Sequence, residues 1–361
     1  MSMQYAFYGT PTSENLDRFA KLIGGALEGV GFTSTNGDAE DANLVISLLD
    51  LEDPKPFRRR GKGTYVVGVF ERPEHPEPIE ESLKADYPQL LRGLANLVLD
   101  YVPGTGAWFT TMERGHYGIT ADDEQQLAHK VVERLLPLAS SRLVIDNEFR
   151  LDLEQELWNG DEVTDSIREA GVRLQELDLL PNPFPIEDLL TDRELRHVKR
   201  LYGIGGLSYG NLSARKDERR FWMSASGVDK SRLETPGRDI LLVSDYDAPN
   251  GRMVLSVPPN VEPRRVSVDA IEHWMIYQEH PNVGAIIHVH AWMEGITATD
   301  VNYPCGTEEL ARSVAELVRQ APDPDHAVVG LRNHGITVTG PSLEEILDRI
   351  EPVVLREIPM T

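Results

Sequence analysis

His288 and His290 stand one residue apart in Gly284-Ala-Ile-Ile-His-Val-His290, a run whose apolar, β-branched character reads as a buried strand. Alternate strand side chains share a face, so both imidazoles point one way while Ile287 and Val289 point the other, into a core. One strand can thus offer a metal ion two nitrogen ligands, although the spacing also suits two histidines that only satisfy hydrogen bonds. His334 is a third candidate. It sits in Asn333-His334-Gly335, between residues 327–331 and 336–339, two alternating runs that read as strands joined by an Asn/Gly turn. A turn histidine leaning over that strand pair would give three imidazoles and an open fourth position, the pattern of a catalytic zinc site.

Asp269 follows Ser267, which reads as a helix N-cap, with Ile271, Trp274, Met275 and Tyr277 continuing the helix. A first-turn carboxylate can simply stabilise the helix N-terminus; beside a metal it can take and return a proton. Asp269 and His273, four residues apart on one helix face, form a rival metal-binding pair. Two further segments offer anion contacts. Gly210-Asn211-Leu-Ser213-Ala-Arg215 follows Gly203-Ile-Gly-Gly206, and Ser224-Ala-Ser226-Gly227 follows the strand-like Phe221-Trp-Met223. Free backbone N–H groups and short polar side chains could cradle a phosphate or carboxylate there, and each segment also fits an ordinary turn.

These residues need elements to hold them. At 361 residues the chain can bury two cores. Apolar content of 40% and charged content of 26% are those of a soluble globular protein. No apolar run approaches the roughly 20 residues of a membrane span, and the first residues lack the basic-then-apolar order of a secretory signal. The single cysteine, Cys305, excludes an internal disulfide framework and fits a reducing cytosol. A net charge of −23 argues against nucleic acid or anionic membrane as partner. An anionic substrate stays compatible, because local donors outweigh a screened distant field. Arg58-Arg59-Arg60-Gly-Lys62 reads as an exposed loop, with an anion or partner contact as the alternative.

Residues 1–147 read as an α/β domain of unknown role. Strands are expected at 5–8, 44–48 and 65–70, with an extended stretch from Trp108. Helices are expected from Ser13 through Leu16, Phe19, Ala20, Ile23 and Leu27, at 90–99 and at 123–136. This alternation implies a layered, mostly parallel sheet. Gly9-Thr-Pro-Thr-Ser13 lacks the spacing of dinucleotide or P-loop motifs and reads as a turn with a helix cap. His116 and His129 read as isolated, solvated or structural. Residues 148–190 read as a charged helical connector ending in the proline-rich Leu180-Pro-Asn-Pro-Phe-Pro185. The second domain is expected over 191–361.

In chain order the second domain carries Gly210-Asn-Leu-Ser-Ala-Arg215, Ser226-Gly227-Val, Ser267-Val-Asp269 with His273 and Tyr277, His288-Val-His290, Gly306-Thr307 with Leu310-Ala311, and Asn333-His-Gly335 with Gly340. This ordered series resembles the class II aldolase/adducin family over residues 191–361; nothing in residues 1–150 does. The resemblance implies an α/β/α domain with a mixed sheet and one zinc ion per chain, held by His288, His290 and His334. It implies Asp269 as the catalytic carboxylate, and Gly210, Asn211, Ser226, Gly227 and Ser267 around the substrate phosphate. The implied activity is that of a zinc-dependent aldolase, a lyase acting on a small hydroxy-carbonyl (a sugar phosphate or sugar acid) through a zinc-stabilised enediolate. An epimerase, a dehydratase, or a non-catalytic adducin-like interaction protein would use the same scaffold. A cytoplasmic homo-oligomer is expected. Three departures stand out. Val268 replaces a second serine frequent in the family. The segment after His290, where family aldolases carry a tyrosine that reaches a neighbouring subunit, is short. The chain reaches Thr361 soon after a helix expected at 343–355.

Overall fold

Alternating apolar runs become two units in the computed structural model, which describes residues 3–35, 39, 42–59, 63–180, 191–193, 195–196 and 210–361. One unit runs Met1–Ser141 with Leu189–Glu194 and Met360–Thr361; the other comprises Arg142–Asp188 and Leu195–Pro359.

The first unit is built on a seven-stranded sheet in the order β2-β1-β3-β4-β5-β6-β7. The strands are β1 (Gln4–Tyr8), β2 (Thr33–Ser34), β3 (Leu44–Leu48), β4 (Tyr65–Glu71), β5 (Leu97–Val102), β6 (Gly106–Thr111) and β7 (His116–Ile119). Pairing is parallel from β2 to β5 and antiparallel through β6 and β7. β3 is buried at every residue, as a continuous apolar run in a parallel sheet should be. Helix α1 (Glu14–Gly29) starts where Ser13 accepts from Leu16 N, and it buries Leu16, Phe19, Ala20, Ile23 and Leu27 as its spacing requires. The helix expected at 90–99 is displaced. Helix α2 spans Ile79–Gly93 and stops at Leu94 in the left-handed region (φ 54°), so Leu97-Val-Leu99 is free to pair as β5. Helix α3 (Glu124–Ala139) is capped by Asp123. At the Gly9 turn (φ +87°) a side chain would meet Leu48 O at 2.6 Å, which supports the turn-and-cap reading. Arg58 is exposed as expected, whereas Arg59 is half-buried. It donates to Asn96 Oδ1 and Leu94 O, each at 2.9 Å; Arg60 and Lys62 lie outside the described residues.

His116, expected to be isolated, is part of a buried polar chain. Arg72 pairs with Asp86 and, at 2.9 Å, with Asp100, both fully buried. His75 Nδ1 lies 3.1 Å from Asp100 Oδ2, and its Nε2 lies 3.1 Å from His116 Nε2. His116 Nδ1 meets Thr110 Oγ1 at 2.8 Å, and that hydroxyl donates to Asp86 at 2.7 Å. Burial first, then the positive charge nearby, pushes His116 down to about 4. His129 is exposed and bonded only to Gln125 O of its own helix.

The second unit is built on an eight-stranded mixed sheet, β14-β15-β13-β9-β10-β11-β12-β8. Its strands are β8 (Asp146–Arg150), β9 (Asn211–Arg215), β10 (Phe221–Ser224), β11 (Ile240–Asp247), β12 (Arg252–Ser256), β13 (Ala285–Val289), β14 (Val328–Leu331) and β15 (Gly335–Gly340). All neighbours are antiparallel except β12 and β8. Helices α4 (Glu162–Glu176), α5 (Ala270–Glu279), α6 (Glu308–Gln320) and α7 (Leu343–Ile350) cover it. Side-chain parity assigns the faces. Ser213 and Thr337 touch α5, whereas Gly340, of opposite parity on β15, meets Ile346 of α7. Helix α4 packs with α7 and α5 with α6, giving an α/β/α arrangement.

Residues 148–180 of the expected connector belong to this unit. β8 pairs in register with β12, Phe149 opposite Leu255, and Ile167, Ala170 and Leu174 of α4 join the apolar core of this unit. The boundary therefore falls at Ser141/Arg142. The proline run 181–185 and Gly203–Gly206 lie outside the described residues. The last helix ends at Ile350 rather than 355; Leu355 instead exchanges backbone hydrogen bonds with Trp292, both at 2.7 Å.

Candidate metal centre

Three adjacent strands carry one transverse row. Asn211 of β9 and Thr337 of β15 lie opposite His288 of β13 in the register, and helix α5 covers that face. His288 is 1% exposed. Its Nδ1 donates to Ile336 O at 3.1 Å, with Thr337 Oγ1 at 3.4 Å, which leaves the lone pair on Nε2. That buried Nε2 has no hydrogen-bond partner.

His290 extends beyond the end of β13, and His334 comes from the β14–β15 turn. Asn333 takes the left-handed conformation (φ 57°) and His334 N donates to Leu331 O at 3.0 Å, closing that turn. Gly335 is required because a Cβ there would stand 2.3 Å from Val289 O. This close crossing brings His334 Nε2 to 3.1 Å from His290 Nε2. One ring nitrogen from each of His288, His290 and His334 lies within 4.8 Å of the others, the sole such group of three potential ligands among the described residues. Burial holds His288 below, and His334 well below, the usual imidazole range, so both favour the neutral form a metal needs. Two neutral rings and one orphaned buried nitrogen fit a divalent cation.

Asp269 does not lie in the first turn of α5. It is the residue preceding the helix and makes no capping bond, and Ser267 is not the N-cap. Its Oδ2 accepts from Asn211 Nδ2 at 2.7 Å, while Asp269 Oδ1 and Asn211 Oδ1 are buried without partners. His273 uses Nδ1 elsewhere, 2.7 Å from Ser213 Oγ, which also meets Tyr277 Oη, while its buried Nε2 has no hydrogen-bond partner. The metal-competent group contains neither Asp269 nor His273.

The anion segments run side by side. Ala225 bridges Val266, Ser226 N donates to Arg265 O at 2.9 Å, and Ser267 N donates to Ser224 O at 3.2 Å. These two N–H groups are therefore engaged rather than free, and any anion must use side chains and the remaining amides. Gly210 (φ +75°) and Gly227 (φ +66°) hold left-handed positions, and a Cβ on Gly210 would meet His288 O at 2.9 Å.

Sequence reasoning missed three neighbours. Lys230, three residues after Gly227, is 2% exposed; burial pushes it down to about 8 while Asp269 draws it back up. Glu272 is 1% exposed, accepts from Thr337 Oγ1 at 2.5 Å, and is pushed up to about 8 by burial and then by Asp269. Cys305 Sγ lies 3.5 Å from His334 Nε2. No local signal marks Glu272, which shares its helix with His273, Gln278 and Glu279.

Comparison with known proteins follows the same residues. Residues 195–299 and 292–354 match the family described as Class II Aldolase and Adducin N-terminal domain. A methylthioribulose-1-phosphate dehydratase of Hahella chejuensis is 35% identical over 101 residues, 27% of this chain and 41% of that protein. Its namesake in Leptospira biflexa is 28% identical over 138 residues, 37% of this chain and 62% of that protein. The chain spans less than two thirds of the length of these curated relatives. A solved L-fuculose 1-phosphate aldolase, 21% identical, aligns over 53% of this chain and 81% of its own with a TM-score of 0.36. The C-terminal region of the chain, residues 195–354, belongs to the class II aldolase and adducin family.

Proposed function

We propose that the second unit is a zinc-dependent lyase that takes a proton beside the carbonyl of a small phosphorylated hydroxy-ketone and expels a neighbouring group. The reading rests on three imidazoles with ring nitrogens within 4.8 Å of one another, one of them buried and unpartnered. When bound, the ion supplies Lewis-acid polarisation of the substrate carbonyl. Asp269 moves the proton: Asn211 Nδ2 fixes Oδ2 and leaves Oδ1 without a protein partner. Gly210, Asn211, Ser226, Gly227 and Ser267 hold the phosphate, with Val268 in place of a further hydroxyl. Loss of water is favoured over C–C cleavage, because curated relatives up to 35% identical carry a dehydratase name. Aldol cleavage is the second reading, supported by membership of an aldolase family. A cytoplasmic homo-oligomer is inferred from the family resemblance.

Purified protein is expected to hold about one zinc per chain, and the double variant His288→Ala/His290→Ala to lose it. Protein that binds no zinc even on addition would sink the site assignment. Zinc-loaded protein should convert methylthioribulose 1-phosphate to a dehydrated dicarbonyl; release of an aldehyde from a panel of sugar phosphates and sugar acids would instead identify aldol cleavage. Asp269→Asn should abolish turnover while zinc remains, and unchanged turnover removes Asp269 from the mechanism.

A further inference from the structure

Cys305, the only cysteine in the chain, sits on a turn whose backbone is pinned from both sides. Gly306 (φ +73°) packs so closely that a Cβ would meet Ile145 at 2.7 Å and Val268 at 3.2 Å. Gly306 O accepts from Val144 N at 2.7 Å. Thr307 caps α6 and donates from Oγ1 to Pro304 O at 2.8 Å. The Cys305 backbone is thereby fixed, and rotation about χ1 is the freedom left to its thiol. Sγ lies 3.5 Å from His334 Nε2, which in turn lies 3.1 Å from His290 Nε2. A tetrahedral ion with metal–sulfur about 2.3 Å and metal–nitrogen about 2.0–2.1 Å sets sulfur and nitrogen about 3.5 Å apart. The buried Nε2 of His288, without a hydrogen-bond partner, independently offers a lone pair to a cation. Sγ is outside the tight group formed by the three imidazoles, so coordination requires the thiol to move in from the His334 side.

We propose that Cys305 is a displaceable fourth ligand of this metal centre, closing the open position at rest and yielding it to substrate oxygen. The inference rests on the three-histidine reading. On coordination a sulfur–metal bond forms, the thiol proton passes to solvent, and no electron transfer is involved. This site thus differs from a permanently closed structural centre, where all four ligands are held tightly. Val268 packs against Gly306 of the same turn and helps to fix its backbone.

The test is cobalt substitution of the 361-residue chain, read by absorption. Cobalt-loaded wild type should show a near-ultraviolet sulfur-to-cobalt charge-transfer band that Cys305→Ser loses while keeping the ligand-field bands and the cobalt. Adding methylthioribulose 1-phosphate should diminish the band, and a band that persists with this compound bound overturns the displaceable role. A wild-type spectrum with ligand-field bands and no sulfur band overturns the role of Cys305 and leaves the three-histidine site standing; failure to bind cobalt at all overturns both. Should Cys305→Ser fail to fold, alkylation of the wild type decides. Iodoacetamide should modify Cys305 at least about tenfold more slowly with zinc than after chelation, and equal rates overturn the proposal.

Discussion

Thr337 is the residue through which helix α5 reaches the candidate metal centre. Its hydroxyl stands 3.4 Å from His288 Nδ1 and donates to Glu272 at 2.5 Å, so it links a ligand ring to a buried carboxyl. Partners of this kind hold a ligand's tautomer and orientation, and removing one costs about 10–100-fold in metal affinity. Thr337→Val keeps the β-branched shape that suits a central strand. It is therefore expected to fold normally and to release zinc to a competing chelator at roughly tenfold lower chelator concentration. Unchanged affinity would mean that Ile336 O alone fixes the ring. At this scale the sequence made the meeting of His288 and His290 legible, because the two-residue period of the strand and its extension puts both on one face. Glu272, Lys230 and Cys305 were not legible, because each reaches the site from another element and nothing local marks it.

The β14–β15 turn sets the position of His334. Gly335 crosses β13 so closely that a methyl group would stand 2.3 Å from Val289 O. Gly335→Ala must push the turn away from β13 and carry His334 off His290. The expected cost is about 1–3 kcal/mol of stability, as for overpacking elsewhere, together with loss of zinc, measured by urea unfolding and metal analysis of one preparation. Zinc retained at wild-type stoichiometry would show that the crossing does not set the ligand geometry. Most elements were readable from period and capping, as at Ser13 and Asp123. The errors were local competitions. The helix expected over 90–99 begins earlier and breaks at Leu94, because Leu97-Val-Leu99 is worth more as a buried parallel strand than as a further helical turn. Ser267 looked like a cap, but its backbone O closes a separate turn onto Ala270 N and the helical bonds begin from Asp269 O, so α5 starts after Asp269.

On the scale of the molecule, the second unit buries groups that respond to pH in opposite directions. His273 is pushed down to about 3, and His288 and His334 are also lowered by burial. Below the ordinary imidazole value near 6.5, the unfolded chain binds protons that these folded groups refuse, so stability falls as pH falls. Glu272, raised to about 8, acts the other way. Between the ordinary carboxyl range and about 8 the folded state holds a proton that the unfolded chain lacks, so its contribution is lost as pH rises. Three groups outweigh one on the acid side. Chelated protein is expected to be most stable near pH 6.5 and to lose stability steadily toward pH 5, followed by urea unfolding. Stability that is flat or rising from pH 6.5 to 5 would contradict this balance. The sequence by itself determined the spacing of the histidines, the caps, the alternation of strand and helix and the family of the C-terminal region, because each is written in local periods of two or 3.6 residues or in ordered short motifs. Only the tertiary structure decided that residues 142–176 belong to the second unit. It also decided that Asp269 leans on Asn211, and that Glu272, Lys230 and Cys305 gather round the imidazoles. Those outcomes depend on pairings between segments far apart in the chain, such as β8 with β12 and the 305–307 turn with residues 143–145, and no local pattern encodes which distant backbone completes a pair.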